Sequence, residues 1–391
     1  MTTKRISEEG GCWPTAIQEL LLRAALLEGQ DCIEAWQTWK SCVDVQNLDL
    51  GSKRLFPLLY RNLQDHGLQD PLLPALKSAY RRTWRDNQLL FHEVSTLLTS
   101  LHARGIETIV LKGAALALLY YKDVGLRPMN DFDVMVPERQ RSEAMAVMRD
   151  LGWRPMPRSP EALTEGYLSI VNGHGFEHAS GRECDLHWHL LPECCQTGAD
   201  DDFWEKAEPF EICRILTRSL APADQLLHVC VHGVEWNPVP PLRWIVDSLM
   251  ILKSANIDWN RLLAQAQKCR LVFQLKVTMN YLCAKFRAPV PAEILGSIQQ
   301  MSVSKSEVRE YNYKIQNYRL KPLGFIPMLW FRYRRLYGAQ RPRHKLIGFA
   351  RYVQQFWGAE HTSHALAFTA LMPLRRVRLL AVNYKNQLLR S

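Results

Sequence analysis

Polar and apolar positions alternate along Asn130-Asp131-Phe132-Asp133-Val134-Met135-Val136, and a period of two predicts a strand. Phe132, Val134 and Val136 would enter a core, leaving Asp131, Asp133 and Met135 on the opposite face. A short apolar run from Ile106 to Leu111 predicts another strand; it ends in Lys112-Gly113, and the Ala- and Leu-rich stretch from Ala114 to Tyr121 predicts a helix. The loop from Lys122 to Asn130 then carries Gly125, Arg127 and Pro128 up to Asp131. A third alternating stretch, Arg182 to Leu190, places Glu183, Asp185, His187 and His189 on one face and Cys184, Leu186, Trp188 and Leu190 on the other. Helical spacing of apolar residues predicts helices over Ala16 to Leu27 and Ser78 to Leu101, a helix start at Ala221-Pro222-Ala223-Asp224, and an apolar helix from Leu242 to Leu252 that contains Asp247.

The strand with two aspartates is the first candidate for chemistry. Residues i and i+2 of a strand lie roughly 6.5–7 Å apart at Cα, a spacing at which two carboxylates can share divalent cations. A D-x-D pair alone is as a rule a solvated strand edge. What precedes it changes the picture: a glycine turn lets backbone approach a ligand, and a helix start offers free N–H groups to an anion. Strand, Lys-Gly turn, helix, basic loop and D-x-D strand would set a triphosphate at the helix start and its metals on the next strand. Lys112 and Arg127 read equally well as surface cations. Asp185 offers a third carboxylate, able to complete a metal site and accept a proton from an attacking hydroxyl.

The pattern LKGAALALLYY…GLRPMNDFDVMV followed by ECDLHWHL resembles the uncharacterised bacterial nucleotidyltransferase family of the DNA polymerase β-like superfamily. The upstream segments FPLLYRNLQ and YRRTWRDNQLL and the downstream LRWIVDSLMIL and IDWNRLLAQAQ resemble that family too, so that the likeness spans roughly residues 15 to 380. The resemblance implies that Asp131 and Asp133 are the metal-binding pair and Asp185 the third acid, with Mg²⁺ or Mn²⁺ as cofactor and an NTP as donor. It sets Lys112-Gly113 where the wider superfamily has a Gly-Ser turn touching the nucleotide phosphates; with Arg127 these become the candidate nucleotide-binding residues. Here the chain departs from the superfamily, and the gap from Gly113 to Asp131 is longer than usual. The implied reaction moves a nucleoside monophosphate to a hydroxyl-bearing acceptor (protein, peptide, sugar or small molecule) with release of pyrophosphate. A non-catalytic nucleotide- or RNA-binding protein on the same fold and a kinase-like γ-phosphoryl transferase are the alternatives.

The expected fold class is α+β: a polymerase β-like core, a small mixed sheet with helices, flanked by helical regions. Residues 1–100 would form an N-terminal helical region, 101–215 the catalytic core, 216–310 a helical domain of the kind that closes over nucleotide or acceptor in the resembled superfamily, and 311–391 a basic, aromatic-rich helical tail. A chain of 391 residues with 47% apolar content can bury a large core, and no Gly- or Pro-rich linker separates the pieces.

Charge is unevenly placed. From Asn317 onward fourteen Lys or Arg face one acid, Glu360, giving +13 in a chain of net +10 and leaving about −3 for the rest. Cations interleave with aromatics from Trp330 to Tyr337. Such a tail can be the solvated face of helices packed on the core, can attract RNA, or can lie on an anionic membrane surface. The basic cluster Arg81, Arg82 and Arg85 reads as a solvated helix face. His228 and His232, at i and i+4, would face the same way and suit packing or substrate contact better than metal ligation. Ten scattered cysteines with no secretory signal suggest reduced thiols and a cytoplasmic protein. A zinc site from His187, His189 and Cys194 or Cys195 is a further arrangement the spacing allows. No apolar stretch reaches the roughly 18 residues a membrane span needs, and neither a Walker-type loop nor a GxGxxG fingerprint is present.

Overall fold

The computed structural model describes residues 10–156, 163–317, 324–338 and 342–358. At its centre lies a mixed sheet of seven strands: β1 (Ile109–Leu111), β2 (Asp131–Met135), β3 (Arg154–Met156), β4 (Gly173–Glu177), β5 (Glu183–His187), β6 (Glu208–Ile212) and β7 (Ile215–Ser219). Their order is β3-β4-β5-β2-β1-β7-β6. β2 pairs antiparallel with β1 and parallel with β5. The D-x-D strand is therefore interior to the sheet. This is the expected α+β architecture, a mixed sheet with helical flanks.

Alternation in β2 sorts its side chains as the sequence predicts. Phe132, Val134 and Val136 are buried with Val110, Cys184 and Leu186 under the helices Leu73–Ala103 and Arg141–Asp150. Ile109, Leu111 and Met135 point the other way, into a larger core. That core is built from Ala16–Leu26, Gly29–Cys42 and Phe56–Asp65 on one side of the chain and Pro222–His232, Arg243–Ser254, Trp259–Lys268 and Val272–Phe286 on the other. Burial of each large aliphatic side chain stabilises by roughly 1.5–3 kcal/mol. Both faces of the sheet are thus covered, and the acidic face of β2 meets a helical layer. Charges held there need partners.

Local signals fix several helices. Thr15 and Gln18 form a capping box at the start of Ala16–Leu26, and prolines sit in the first turns of Leu73–Ala103 and Pro222–His232. Arg81, Arg82 and Arg85 lie on an exposed face, as expected. The helix predicted over Ala114 to Tyr121 begins at Lys112, is α-helical to Leu116, and widens into a π turn from Ala117 to Tyr121. Both tyrosines of that turn are buried, and the Tyr121 hydroxyl donates to Asp247 Oδ1 at 2.6 Å.

The third alternating stretch stops early. The N–H groups of Trp188 and His189 both donate to the Asn172 carbonyl, at 2.9 and 3.0 Å, which bends the chain out of β5 after His187. Trp188 therefore leaves the core of Cys184 and Leu186 and enters another with Tyr167, Leu329, Tyr333 and Tyr352. This last cluster docks the helices Ile326–Tyr337 and Pro342–Trp357 onto the sheet. Part of the basic, aromatic tail is accordingly core rather than solvated face: Arg335 Nε donates to Glu310 Oε2 at 2.8 Å, and Lys314 is buried against Glu193. Residues 359–391, on which much of the RNA and membrane expectation rests, lie outside the described residues. Among the described residues no helix is long and apolar enough to cross a membrane.

Candidate active site

Strand register assembles the site. In the parallel β2–β5 pair Asp133 sits opposite Asp185, and Met135 opposite His187; on the other edge of β2, Asp133 sits opposite Leu111 of β1. Adjacent strands lie about 4.8 Å apart, so Asp133 and Asp185 are side by side on one face. Ligand atoms of Asp133, Asp185 and His187 all lie within 4.8 Å of one another. Lys112, the residue after β1, sends its Nζ to 2.7 Å from Asp133 Oδ1, and His187 Nε2 reaches the same oxygen at 3.1 Å.

Asp131, two residues earlier, is half-buried and lies outside the three-residue cluster. Its charge is felt by Arg127 and Arg243. The sequence-predicted acids are therefore divided: Asp133 and Asp185 converge, while Asp131 stands at the entrance of β2, where Arg127 and Arg243 feel its charge.

The two converging carboxyls are driven apart in proton affinity. Burial pushes the Asp133 carboxyl up, but the Lys112 ammonium and the His187 hydrogen bond more than reverse this and hold it far below the usual range. Burial and the neighbouring Asp133 charge push the Asp185 carboxyl up. Two carboxylates with opposed shifts separate naturally into a charge-bearing group and a proton acceptor.

Lys112 reaches Asp133 from a left-handed backbone, φ 43°, a conformation that costs a non-glycine residue free energy and is found where surrounding structure enforces it. Gly113 follows it. A Cβ there would come within 2.9 Å of Met129 Sδ and 3.0 Å of Arg127 Nη1, so the glycine lets those two side chains pack against the turn. Arg127 itself is buried and spends two N–H groups on Asp247, Nε to Oδ1 and Nη2 to Oδ2, each at 2.8 Å. The expected phosphate-binding trio is thus divided as well: Lys112 touches the acid cluster, Gly113 packs against Met129 and Arg127, and Arg127 is held by Asp247.

Four features of the site had no counterpart in the sequence reading. Asn172 places its amide 3.3 Å from His187 Nδ1, and a side-chain amide can serve either tautomer of that ring. Gly175 is the register partner of Asp185 on β4, and a Cβ there would lie 3.1 Å from Asp185 Oδ1. Arg54, from the turn before Phe56–Asp65, and Arg243, from the start of Arg243–Ser254, line the cleft. No local pattern marks any of them, because strand register and helix docking bring them in.

The cleft has two lobes that share Lys112, His228 and His232. One, of about 320 Å³, includes Asp185, His187, His174, Glu193, Glu235 and Arg332 in its lining. The other, of about 370 Å³, includes Arg54, Arg127, Arg243, Trp244 and Asp247. His228 is 2% exposed, and its Nδ1 has no hydrogen-bond partner among the described residues; burial and the Lys112 charge keep this ring neutral by pushing its pKa well down. Both histidines at i and i+4 face the cleft.

The zinc arrangement that the spacing allowed does not form among the described residues. His189 Nδ1 pairs with Asp200 Oδ2 at 2.6 Å, while the buried thiols of Cys194 and Cys195 approach the backbone carbonyls of Cys269 and Leu191. Burial pushes the Cys195 thiol up. All ten cysteines are free.

Residues 50–286 match the family of uncharacterised nucleotidyltransferases. The chain belongs to that family. The family segment takes in every strand of the sheet, Lys112, all three acids and the helices up to Val272–Phe286. No curated protein sequence matches this nucleotidyltransferase-family chain. Among solved structures it is similar to the antibiotic-resistance factor ANT(2'')-Ia, at 15% identity, TM-score 0.33, over 51% of this chain and 97% of that one. It is also similar to an antigenic nucleotidyltransferase-like protein from Paracoccidioides brasiliensis, at 14% identity, TM-score 0.35, over 56% of this chain and 95% of that one.

Proposed function

We propose that the chain is a metal-dependent nucleotidyltransferase, moving a nucleoside monophosphate from an NTP to a hydroxyl-bearing acceptor and releasing pyrophosphate. The observation that carries this reading is the register pairing of Asp133 with Asp185, which with His187 sets three ligand atoms within 4.8 Å of one another in a cleft.

The donor set suits a divalent cation. It contains two carboxylates and an imidazole, and a positive group, the Lys112 ammonium, already rests on one of them. Asp133, Asp185 and His187, with Asp131 beside them, would hold Mg²⁺ or Mn²⁺, and the bound ion would supply charge neutralisation at the phosphates. The chain's own residues do the rest. Asp133 stays ionised under the influence of Lys112. Asp185 takes the proton of the acceptor hydroxyl as that oxygen bonds to the α-phosphorus. The bond from the α-phosphorus to the bridging oxygen breaks, and pyrophosphate departs toward the cationic side of the cleft. Positioning and charge stabilisation account for most of the acceleration in such transfers.

The test is product analysis with each NTP labelled at the α-phosphorus, in Mg²⁺ or Mn²⁺, preceded by a thermal-shift screen. A ligand present at about one hundred times its Kd stabilises the native state by about 2.7 kcal/mol. Label transferred to an acceptor with pyrophosphate release supports the reading. Release of a nucleoside diphosphate would replace it with γ-phosphoryl transfer, and metal-dependent nucleotide binding without any product would replace it with a sensor.

A further inference from the structure

The two lobes of the cleft differ in charge. The lobe containing Asp185 is lined by Lys112 and Arg332 against Asp185, Glu193 and Glu235, a formal −1 with the histidines neutral. The other is lined by Lys112, Arg54, Arg127 and Arg243 against the single acid Asp247, a formal +3. Asp247 is already committed to Arg127 through both oxygens. Among the described residues neither Arg54 nor Arg243 has a carboxylate at salt-bridge distance; Arg243 Nη1 donates to the Pro128 carbonyl at 3.2 Å. Gathering guanidinium groups in a half-buried cavity is unfavourable without a compensating anion. Arg243 registers the cost, since burial and the charges of Arg127 and Arg54 push its proton affinity down by more than Asp247 and Asp131 raise it.

A second feature of the same lobe points the same way. Arg243 is the first residue of a twelve-residue helix, Arg243–Ser254, and Leu242, Arg243 and Trp244 all line the cavity. The first turn of that helix therefore borders the lobe, and the positive end of the helix dipole favours negative charge there. Arginine forks are suited to phosphate oxygens, which they can meet two at a time.

We propose that this lobe is a polyphosphate site, in which Arg54, Arg243 and the first turn of Arg243–Ser254 hold a di- or triphosphate chain, while the lobe containing Asp185 takes the acceptor. Its assignment to the donor's terminal phosphates rests on the nucleotidyltransferase reading; the anion site itself rests on the charge and geometry of the lobe. On this arrangement α-phosphorus chemistry occurs at the junction, beside Lys112, and the leaving pyrophosphate lies along the arginines. Arg127 serves as wall and background charge, because Asp247 occupies its fork. Arg54 comes from the N-terminal helices and Arg243 from the later ones, so that the two flanks of the core each supply one arm of the clamp.

The experiment is calorimetric titration of the full chain with inorganic tripolyphosphate and pyrophosphate in the absence of metal. It uses the wild type, Arg54→Gln, Arg243→Gln, the double variant, and Arg218→Gln as a surface control outside the cleft. Tripolyphosphate should bind the wild type, and the double variant should bind it at least tenfold more weakly, with Arg218→Gln unchanged. Arg243→Lys keeps the charge but loses the fork and should weaken binding severalfold, a readout that survives even if the Gln variant does not fold. The inference is overturned if the wild type binds no tripolyphosphate, or if folded Arg54 and Arg243 variants bind it as the wild type does. Failure of α-phosphoryl transfer with every NTP would overturn the enzymatic reading and leave this titration standing by itself.

Discussion

Asp133 and Asp185 are direct register partners on adjacent parallel strands, yet their surroundings move their protons in opposite directions, Asp133 held ionised by Lys112 and Asp185 made more basic by burial beside it. Replacing either with Asn should abolish most pyrophosphate release from the NTP, with a loss of at least about 10²-fold for a general base or a charge-bearing group. The two variants should differ in binding. Asp133→Asn strips Lys112 of its partner and should lose metal-dependent thermal stabilisation by NTP, whereas Asp185→Asn should retain part of it. Equal stabilisation of both variants would show that the division of labour between the carboxylates is wrong.

His187 adds a nitrogen donor to what would otherwise be an all-oxygen set. Imidazole suits transition metals better than Mg²⁺, which prefers oxygen and keeps its water. Mn²⁺ is therefore expected to bind more tightly than Mg²⁺, and His187→Gln to narrow that difference. Asn172, at His187 Nδ1, orients the ring from outside the donor set; Asn172→Ala should cost roughly 10–100-fold in Mn²⁺ affinity. Titration of the protein with each ion, followed by the nitrogen coupling in the Mn²⁺ paramagnetic resonance spectrum, checks both. Loss of nitrogen coupling in His187→Gln is the expected signature, and its absence in the wild type would remove His187 from the set.

Those two strands were legible because alternation is local. Phe132, Val134 and Val136 on one side and the acids on the other follow from period two alone, and the helix starts near Ala16 and Pro222 follow from apolar spacing and an early proline. Register is not local. Nothing in the sequence says that Asp133 falls opposite Asp185 rather than Glu183, and Asn172 precedes, and Gly175 lies within, a stretch, Gly-His-Gly-Phe-Glu, whose glycines argue against a strand. Arg127 shows the same limit from another direction: it reads as a free cation in a loop, and its partner Asp247 lies 120 residues away. His189 follows the alternation on paper but leaves the strand because two N–H groups share the Asn172 carbonyl.

The Arg127–Asp247 pair is buried, with side-chain exposures of 7% and 5%, and Tyr121 completes it. Removing one member leaves an uncompensated charge, which typically costs 3–5 kcal/mol. Asp247→Ala should lower stability by about that amount and lose activity in proportion to the unfolded fraction. Replacing both with apolar residues, Arg127→Met with Asp247→Leu, should recover much of the stability. If Arg127→Met alone leaves the unfolding midpoint unchanged while abolishing tripolyphosphate binding, Arg127 is a ligand-binding residue and not a wall.

Glu193 tethers the later helices to the site. It is buried against Lys314, with Arg335 and Arg332 nearby. Burial raises its carboxyl, but these cations outweigh it and bring it down to about 2 from an ordinary 4.5. A carboxyl lowered in the folded state binds its proton more readily when unfolded, so its contribution is complete above about pH 4.5 and disappears as the pH falls toward 2. At about 1.4 kcal/mol per unit this amounts to roughly 3 kcal/mol. Urea unfolding of the wild type between pH 6 and 3 should show stability falling faster than in Glu193→Gln. The variant starts lower at pH 6, because among the described residues Lys314 keeps Glu310 and Glu235 as acidic partners but loses Glu193, and the two curves should converge as acid removes what the substitution has already removed. Parallel curves over that window would mean that Glu193 does not hold its low proton affinity, and that the tail helices are kept in place by the aromatic cluster of Trp188, Tyr333 and Tyr352 and by Arg335.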